Sequence, residues 1–191
     1  MPKETQLIEG QYYHLYNRGN NGENLFLEPR NYEYFLKLYA RYIYPAADTF
    51  AYCLMKNHFH LLVRMKPLCD SQPSYAEVFS TFFSTYTKTI NKQYQRTGSL
   101  FEKPFKRILV ESERHLLHLV CYLHRNPQKH GFVKDFRQWS HSSYQVIAHN
   151  HKTRLAKDEV VSWFGRFEAF ESYHSKFDEK MIGYLVEGDE G

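Results

Sequence analysis

The stretch from Thr49 to Met65 constrains the fold more than any other part of the chain. TFAYCLM (Thr49 to Met55) and HFHLLVRM (His58 to Met65) are β-rich apolar runs parted only by Lys56 and Asn57, a separation that suits a tight antiparallel hairpin. Strand side chains alternate with period two, so Phe59, Leu61, Val63 and Met65 line one face of the second run. His58, His60, Leu62 and Arg64 line the other, and both histidines therefore share the face opposite the apolar stripe.

The remaining elements arrange themselves around this hairpin. Gln11 to Asn17 (QYYHLYN) reads as a first strand closed by the turn residues of Arg18 to Gly22. Phe35, Leu38, Tyr39 and Tyr42 recur at helical spacing between Pro29 and Pro45. A long second helix is marked by Val78, Phe79, Phe82, Phe83, Tyr86 and Ile90, and Arg96 to Ser99 breaks it. Lys106 to Glu111 is expected as a fourth strand. Ser112 and Glu113 open a third helix, from about Arg114 to Arg125, which Pro127 is expected to end.

The order strand, helix, strand, strand, helix, strand predicts an α+β fold with a ferredoxin-like antiparallel sheet and two helices on one face. The third helix, apolar nearly all round, is left to cover the other face. That placement brings Tyr122 to the side of the sheet occupied by His58 and His60. Beyond Trp139, SSYQVIAHN and a helix expected from Glu159 to Phe170 read as a small helical extension. The expected division is a catalytic domain over residues 1–135 and a C-terminal extension over 136–191.

A chain of 191 residues that is 42% hydrophobic and 17% aromatic can bury one good core. No run of about 18 apolar residues is present and MPKETQLIEG lacks the apolar centre of a signal peptide, so a cytoplasmic protein with no membrane partner is expected. Cys53, Cys69 and Cys121 are far apart with no CxxC pair, which argues against a disulfide framework and against a cysteine zinc site. The net charge of +4 excludes little, but its distribution is uneven. Lys88, Lys92, Arg96, Lys103, Lys106 and Arg107 fall between Ser84 and Arg107 against one acid, Glu102, whereas Asp178 to Gly191 holds five acids and one lysine. The middle of the chain is the candidate polyanion surface.

Two histidines spaced i, i+2 on a strand can reach one metal ion. Taken alone, such a pair in a chain with 11 histidines is equally what core or surface histidines look like. Tyr122 and Asn126 stand four apart and so share a helix face, offering a phenol nucleophile with an amide oxygen beside it. Alone, they also read as a packed aromatic and a helix-ending Asn-Pro.

Read together, these segments carry a resemblance. MKNHFHLLV (Met55 to Val63) resembles the histidine-hydrophobic-histidine signature of the HUH enzymes, and CYLHRNP (Cys121 to Pro127) resembles their nucleophile helix. YHLYNRGNNGENLF (Tyr13 to Phe26), GSLFEKPFK (Gly98 to Lys106) and WSHSSY (Trp139 to Tyr144) extend the likeness over roughly Tyr13 to Phe167. The branch resembled is that of the REP-associated tyrosine transposases, within the single-tyrosine, IS200-like HUH superfamily.

The resemblance implies cleavage and rejoining of single-stranded DNA beside hairpins through a 5′-phosphotyrosine. It makes Tyr122 the nucleophile and His58, His60 and Asn126 the metal ligands, with Asn126 standing where related enzymes often carry glutamine. It also implies magnesium or manganese as the cofactor, although imidazole ligands alone would suit zinc as well. Arg18, Lys103, Lys106 and Arg107 are then candidates for DNA phosphate contacts, with Tyr16, Phe101 and Phe105 available to stack on unpaired bases. The active site is expected within one chain or across a homodimer. Two other functions fit the same residues: a silent DNA-binding regulator derived from a transposase, and a phosphoesterase that activates water.

Overall fold

The computed structural model describes residues 5–69 and 71–178. The acidic run noted after Asp178 and the end of the expected extension lie outside the described residues. The elements follow the expected order: β1 (Tyr12–Arg18), α1 (Pro29–Tyr42), β2 (Ala47–Leu54), β3 (His58–Met65), α2 (Tyr75–Tyr94), β4 (Lys106–Val110) and α3 (Glu113–Lys129). Three short helices follow, α4 (Ser143–Ala148), α5 (Lys157–Trp163) and α6 (Phe167–Lys176). The four strands form one sheet in the order β2-β3-β1-β4 with every pairing antiparallel. This is the ferredoxin-like arrangement that the element order predicts.

Local chemistry sets the helix starts. Ser74 and Glu77 form a capping box at α2, and the Ser112 hydroxyl accepts from the His115 N–H at 3.2 Å to open α3. The end of α3 departs from expectation, because Pro127 lies inside the helix, which runs on to Lys129. Proline removes one N–H and disfavours helical geometry before it. Here the final carbonyls are satisfied from beyond the helix, with Phe132 N–H donating to the Pro127 carbonyl at 2.8 Å and Gly131 N–H to that of Gln128 at 3.1 Å. Gly131 adopts φ 70°, the left-handed turn that such a helix end requires.

The two faces of the sheet carry separate apolar clusters. Phe59, Leu61, Val63 and Met65 pack with Phe35 of α1 and with Phe79, Phe82 and Tyr86 of α2, as the alternation predicts. On the other face, Leu62 and Phe50 meet Leu119, Val120, Tyr122 and Leu123 of α3. Phe136, Tyr144, Val160 and Phe170 join this second cluster, so the segment after α3 completes the core over the sheet.

That segment also covers the outer edge of β2. Leu54 N–H donates to the His141 carbonyl at 2.9 Å, Tyr52 N–H to the Ser143 hydroxyl at 2.9 Å, and Ala156 N–H to the Thr49 carbonyl at 2.9 Å. Covering the backbone groups of an edge strand removes a template for wrong pairing. The single helix expected from Glu159 to Phe170 is instead two, α5 and α6, because Gly165 between them takes φ 84°. The apolar spacing continues across a left-handed residue that no helix accommodates.

Candidate functional site

β3 presents His58 and His60 to the face covered by α3, and β1 presents His14 and Tyr16 beside them, since His60 pairs with Tyr16 and Leu62 with His14 in the register. From α3, Tyr122 is set edge-on to the His60 ring at 5.9 Å between centroids and to the His14 ring at 6.4 Å. The His58 and His60 rings are 5.3 Å apart and perpendicular. Residues from three elements widely separated in sequence thus meet over the middle of the sheet.

His58 Nδ1 lies 2.7 Å from Asn57 Oδ1, an acceptor, so Nδ1 carries a proton. His60 Nδ1 lies 2.9 Å from His14 Nε2, a contact that holds one proton. Burial pushes His60 well below the usual imidazole range, and positive charge at His58, His130 and Lys129 acts in the same direction. A neutral imidazole is the form that binds a metal.

Asn126 lies one turn after Tyr122 on α3, within the helix despite Pro127. Its amide is buried, and among the described residues neither its oxygen nor its nitrogen meets a hydrogen-bond partner. Leaving such a group unbonded costs about 1–3 kcal/mol. Among the described residues no group of three His, Cys, Asp or Glu side chains is placed to hold a metal ion.

His60 and Tyr122 are 0% and 1% exposed, while His58 is half-buried. At the end of α3, Lys129 Nζ lies 5.3 Å from the Tyr122 ring centroid, and the His130 ring lies 4.8 Å from that of His58.

The structure divides the basic residues singled out in the sequence. In the β1–β4 register Lys106 opposes Tyr16 and Arg107 opposes Leu15, which puts Lys106 on the histidine face and Arg107 on the α2 face. Arg18 opposes His58 and is paired through Nε with Glu102 at 2.6 Å. Lys103 lies with Arg107 on the α2 side of β4. Of the stacking candidates only Phe105 keeps partial exposure. Phe101 is buried among Phe59, Phe83 and Tyr86, and Tyr16 is buried against His14 and His60. The expectation that these two meet unpaired bases is corrected accordingly.

Three neighbours of the site were not singled out from the sequence: His14, Lys129 and His130. His14 shares a strand face with Tyr12 and Tyr16 in the alternation, but only the β1–β3 register places it against His60. Lys129 and His130 follow Pro127, where a helix end was expected.

No family model matches the chain. A REP-associated tyrosine transposase of Haemophilus influenzae is 24% identical over 106 residues, covering 51% of this chain and 58% of that protein. The match therefore spans little more than half of the relative's own length. The solved structure of a REP-associated tyrosine transposase bound to a REP hairpin superposes with a TM-score of 0.62 at 16% identity, covering 81% of this chain and 89% of that one. No helix among the described residues is long and apolar enough to cross a membrane. In sequence over half its length and in fold over four fifths, the chain is similar to the REP-associated tyrosine transposases.

Proposed function

We propose that this chain is a single-strand DNA endonuclease and strand-transferase that works through Tyr122, with His58, His60 and Asn126 holding a divalent cation. The observation that carries the reading is the meeting of Tyr122 with His60, 5.9 Å between ring centroids, on the face where His58 also lies. A water-activating phosphoesterase would not need a tyrosine held at the histidine pair, and a silent DNA-binding regulator would not need any of the three.

In the proposed reaction the Tyr122 phenol loses its proton and its oxygen attacks the scissile phosphorus. The bond from phosphorus to the 3′ oxygen breaks, and that oxygen takes up a proton. The products are a 5′-phosphotyrosyl link and a free 3′-hydroxyl. One ester replaces another, so the 3′-hydroxyl of a different strand can reverse the step and rejoin DNA. A magnesium or manganese ion, when bound, would polarise the phosphate and offset charge on its oxygens. His58 and His60 would hold that ion, with Asn126 contributing its oxygen from the helix that carries the nucleophile, and His14 would set the proton on His60. Arg18 and Lys106, on the same face, hold the DNA backbone.

The structural neighbour is bound to a hairpin, and by that analogy the substrate is a single strand next to a DNA hairpin, met in the cytoplasm. Residues 1–135 then form the catalytic domain, with 136–191 as an extension that braces α3 and the edge of β2. The test is incubation of the protein with end-labelled single-stranded DNA bearing a hairpin, with and without Mn²⁺, followed by denaturing electrophoresis. A metal-dependent covalent adduct that peptide mapping places at Tyr122 is expected. Cleavage to a free 5′-phosphate with no adduct would favour the phosphoesterase, and binding without cleavage the regulator.

A further inference from the structure

The α2 side of β4 holds a cavity of about 770 Å³, bounded by the exposed flank of α2 and the 98–105 segment. Its walls combine three kinds of group. Phe83 and Phe105 supply apolar surface, with their rings 5.4 Å apart and in contact with each other. Ser80, Ser84, Thr87 and Asn91, spaced at helical intervals along α2, turn a row of short polar side chains inward. Lys88, Lys103 and Arg107 bring positive charge, and the Arg107 guanidinium lies 4.7 Å from the Phe105 ring centroid. The acid at this cavity, Glu102, is paired with Arg18, so the local charge stays positive.

The cavity also adjoins the candidate active site through β1. Asn17 lines it and donates through Nδ2 to the Glu102 carbonyl at 3.1 Å. The next residue, Arg18, faces the other way and opposes His58 in the β1–β3 register, a separation of about 5 Å between Cα atoms. The cavity and the histidine face thus meet at the end of β1, where Asn17 and Arg18 turn to opposite sides of the sheet.

We propose that this cavity is a subsite for an unpaired nucleotide of single-stranded DNA. The base lies against Phe83 and Phe105, its polar edge meets the Ser84 and Thr87 row, and the flanking phosphates meet Lys88, Lys103 and Arg107. Aromatic surface beside cationic groups is the combination that holds single strands, and at about 770 Å³ the space is of ligand size. A fully paired duplex has no base to offer it. The inference rests on the reading of the chain as an enzyme of single-stranded DNA.

The probe is a 20-nucleotide single strand carrying 2-aminopurine at one position at a time, titrated against the full chain. In the wild type, fluorescence should be quenched at one position at a fixed distance from the cleaved bond. Ser84→Trp, an exposed change on α2 that fills the cavity, should abolish that quenching and weaken binding roughly tenfold. Its melting temperature should be unchanged. Lys88→Glu, also exposed, is the second variant and should weaken single-strand binding by a similar factor. Quenching at no position, unchanged affinity in both variants, or an equal loss on a fully paired duplex would each overturn the subsite. Absence of an adduct in the wild type would count against the proposed function, while quenching and the affinity ratios would still decide the subsite.

Discussion

His14 Nε2 and His60 Nδ1 lie 2.9 Å apart with their rings stacked, and both residues are fully buried. One proton serves this contact. For His60 to offer the Nε2 lone pair to a cation, its Nδ1 must carry that proton and donate it to His14, whose own proton then sits on Nδ1. In the proposed site the His14 contact would select the tautomer in which His60 holds the ion, as partners behind metal-bound histidines commonly do.

His14→Phe keeps an aromatic ring in the space and deletes the acceptor. Mn²⁺ affinity, read by calorimetric titration, should fall about 10- to 100-fold. His14→Gln, which offers an amide oxygen to His60, should recover part of the loss. Unchanged affinity in the phenylalanine variant would show that His14 only fills space.

Replacing His58 or His60 by alanine should abolish cleavage while leaving DNA binding largely intact, because the ligands act on one phosphate and not on the wider backbone. Cleavage by the double variant at the wild-type rate would refute the metal site. Asn126 separates stability from activity. Its buried amide meets no hydrogen-bond partner among the described residues, so Asn126→Leu should stabilise the metal-free protein by about 1–3 kcal/mol in denaturant unfolding. The same change should weaken metal binding, though less than either histidine change, since water can replace an amide oxygen on a hard cation. A destabilised Asn126→Leu protein would mean that the amide serves the fold.

The sheet and the pairing of its faces were legible because Phe59, Leu61, Val63 and Met65 interleave with His58, His60 and Arg64 along β3, and because the elements run strand, helix, strand, strand, helix, strand. Tyr122 could be placed opposite His58 and His60 from that order alone. What could not be read was anything set by register or by tertiary contact. His14 looks like its neighbours Tyr13 and Leu15 until β1 is aligned with β3. Phe101 and Phe105 stand at similar positions in GSLFEKPFK, yet one is buried beneath α2 and the other partly open. Helix ends were misread for a physical reason: Pro127 and Gly165 signal local preference, and the packing of α3 overrode the first while nothing opposed the second.

Tyr122→Phe removes one oxygen and keeps a ring that is 1% exposed in the second apolar cluster. Volume is nearly conserved, so unfolding free energy should change by less than about 1.5 kcal/mol. DNA and Mn²⁺ binding should persist and the covalent adduct should vanish. An adduct in this variant, mapping to another tyrosine, would remove Tyr122 from the mechanism.

A second buried histidine pair joins α3 to α6 and makes stability depend on pH. His174 Nδ1 donates to the Phe170 carbonyl at 2.8 Å, so its Nε2 accepts from His124 Nδ1 at 2.8 Å. His124 Nε2 in turn lies 2.7 Å from the Ser143 hydroxyl, which also donates to the Tyr52 carbonyl at 3.2 Å. His174, donating from Nδ1 and accepting at Nε2, is neutral in this arrangement. Burial pushes His174 down to about 4, and the unfolded chain would titrate near the ordinary 6.5. As pH falls below about 6.5 the unfolded state takes up the proton that the folded state refuses, so the contribution of His174 is complete above that value and declines down to about 4. The loss is on the order of 3 kcal/mol across that window. Urea unfolding at pH 7.5, 6, 5 and 4 should show it, and His174→Phe, which keeps a ring against Phe170 and Tyr144 but cannot bind a proton, should flatten the decline. An identical slope in the variant would place the acid sensitivity elsewhere.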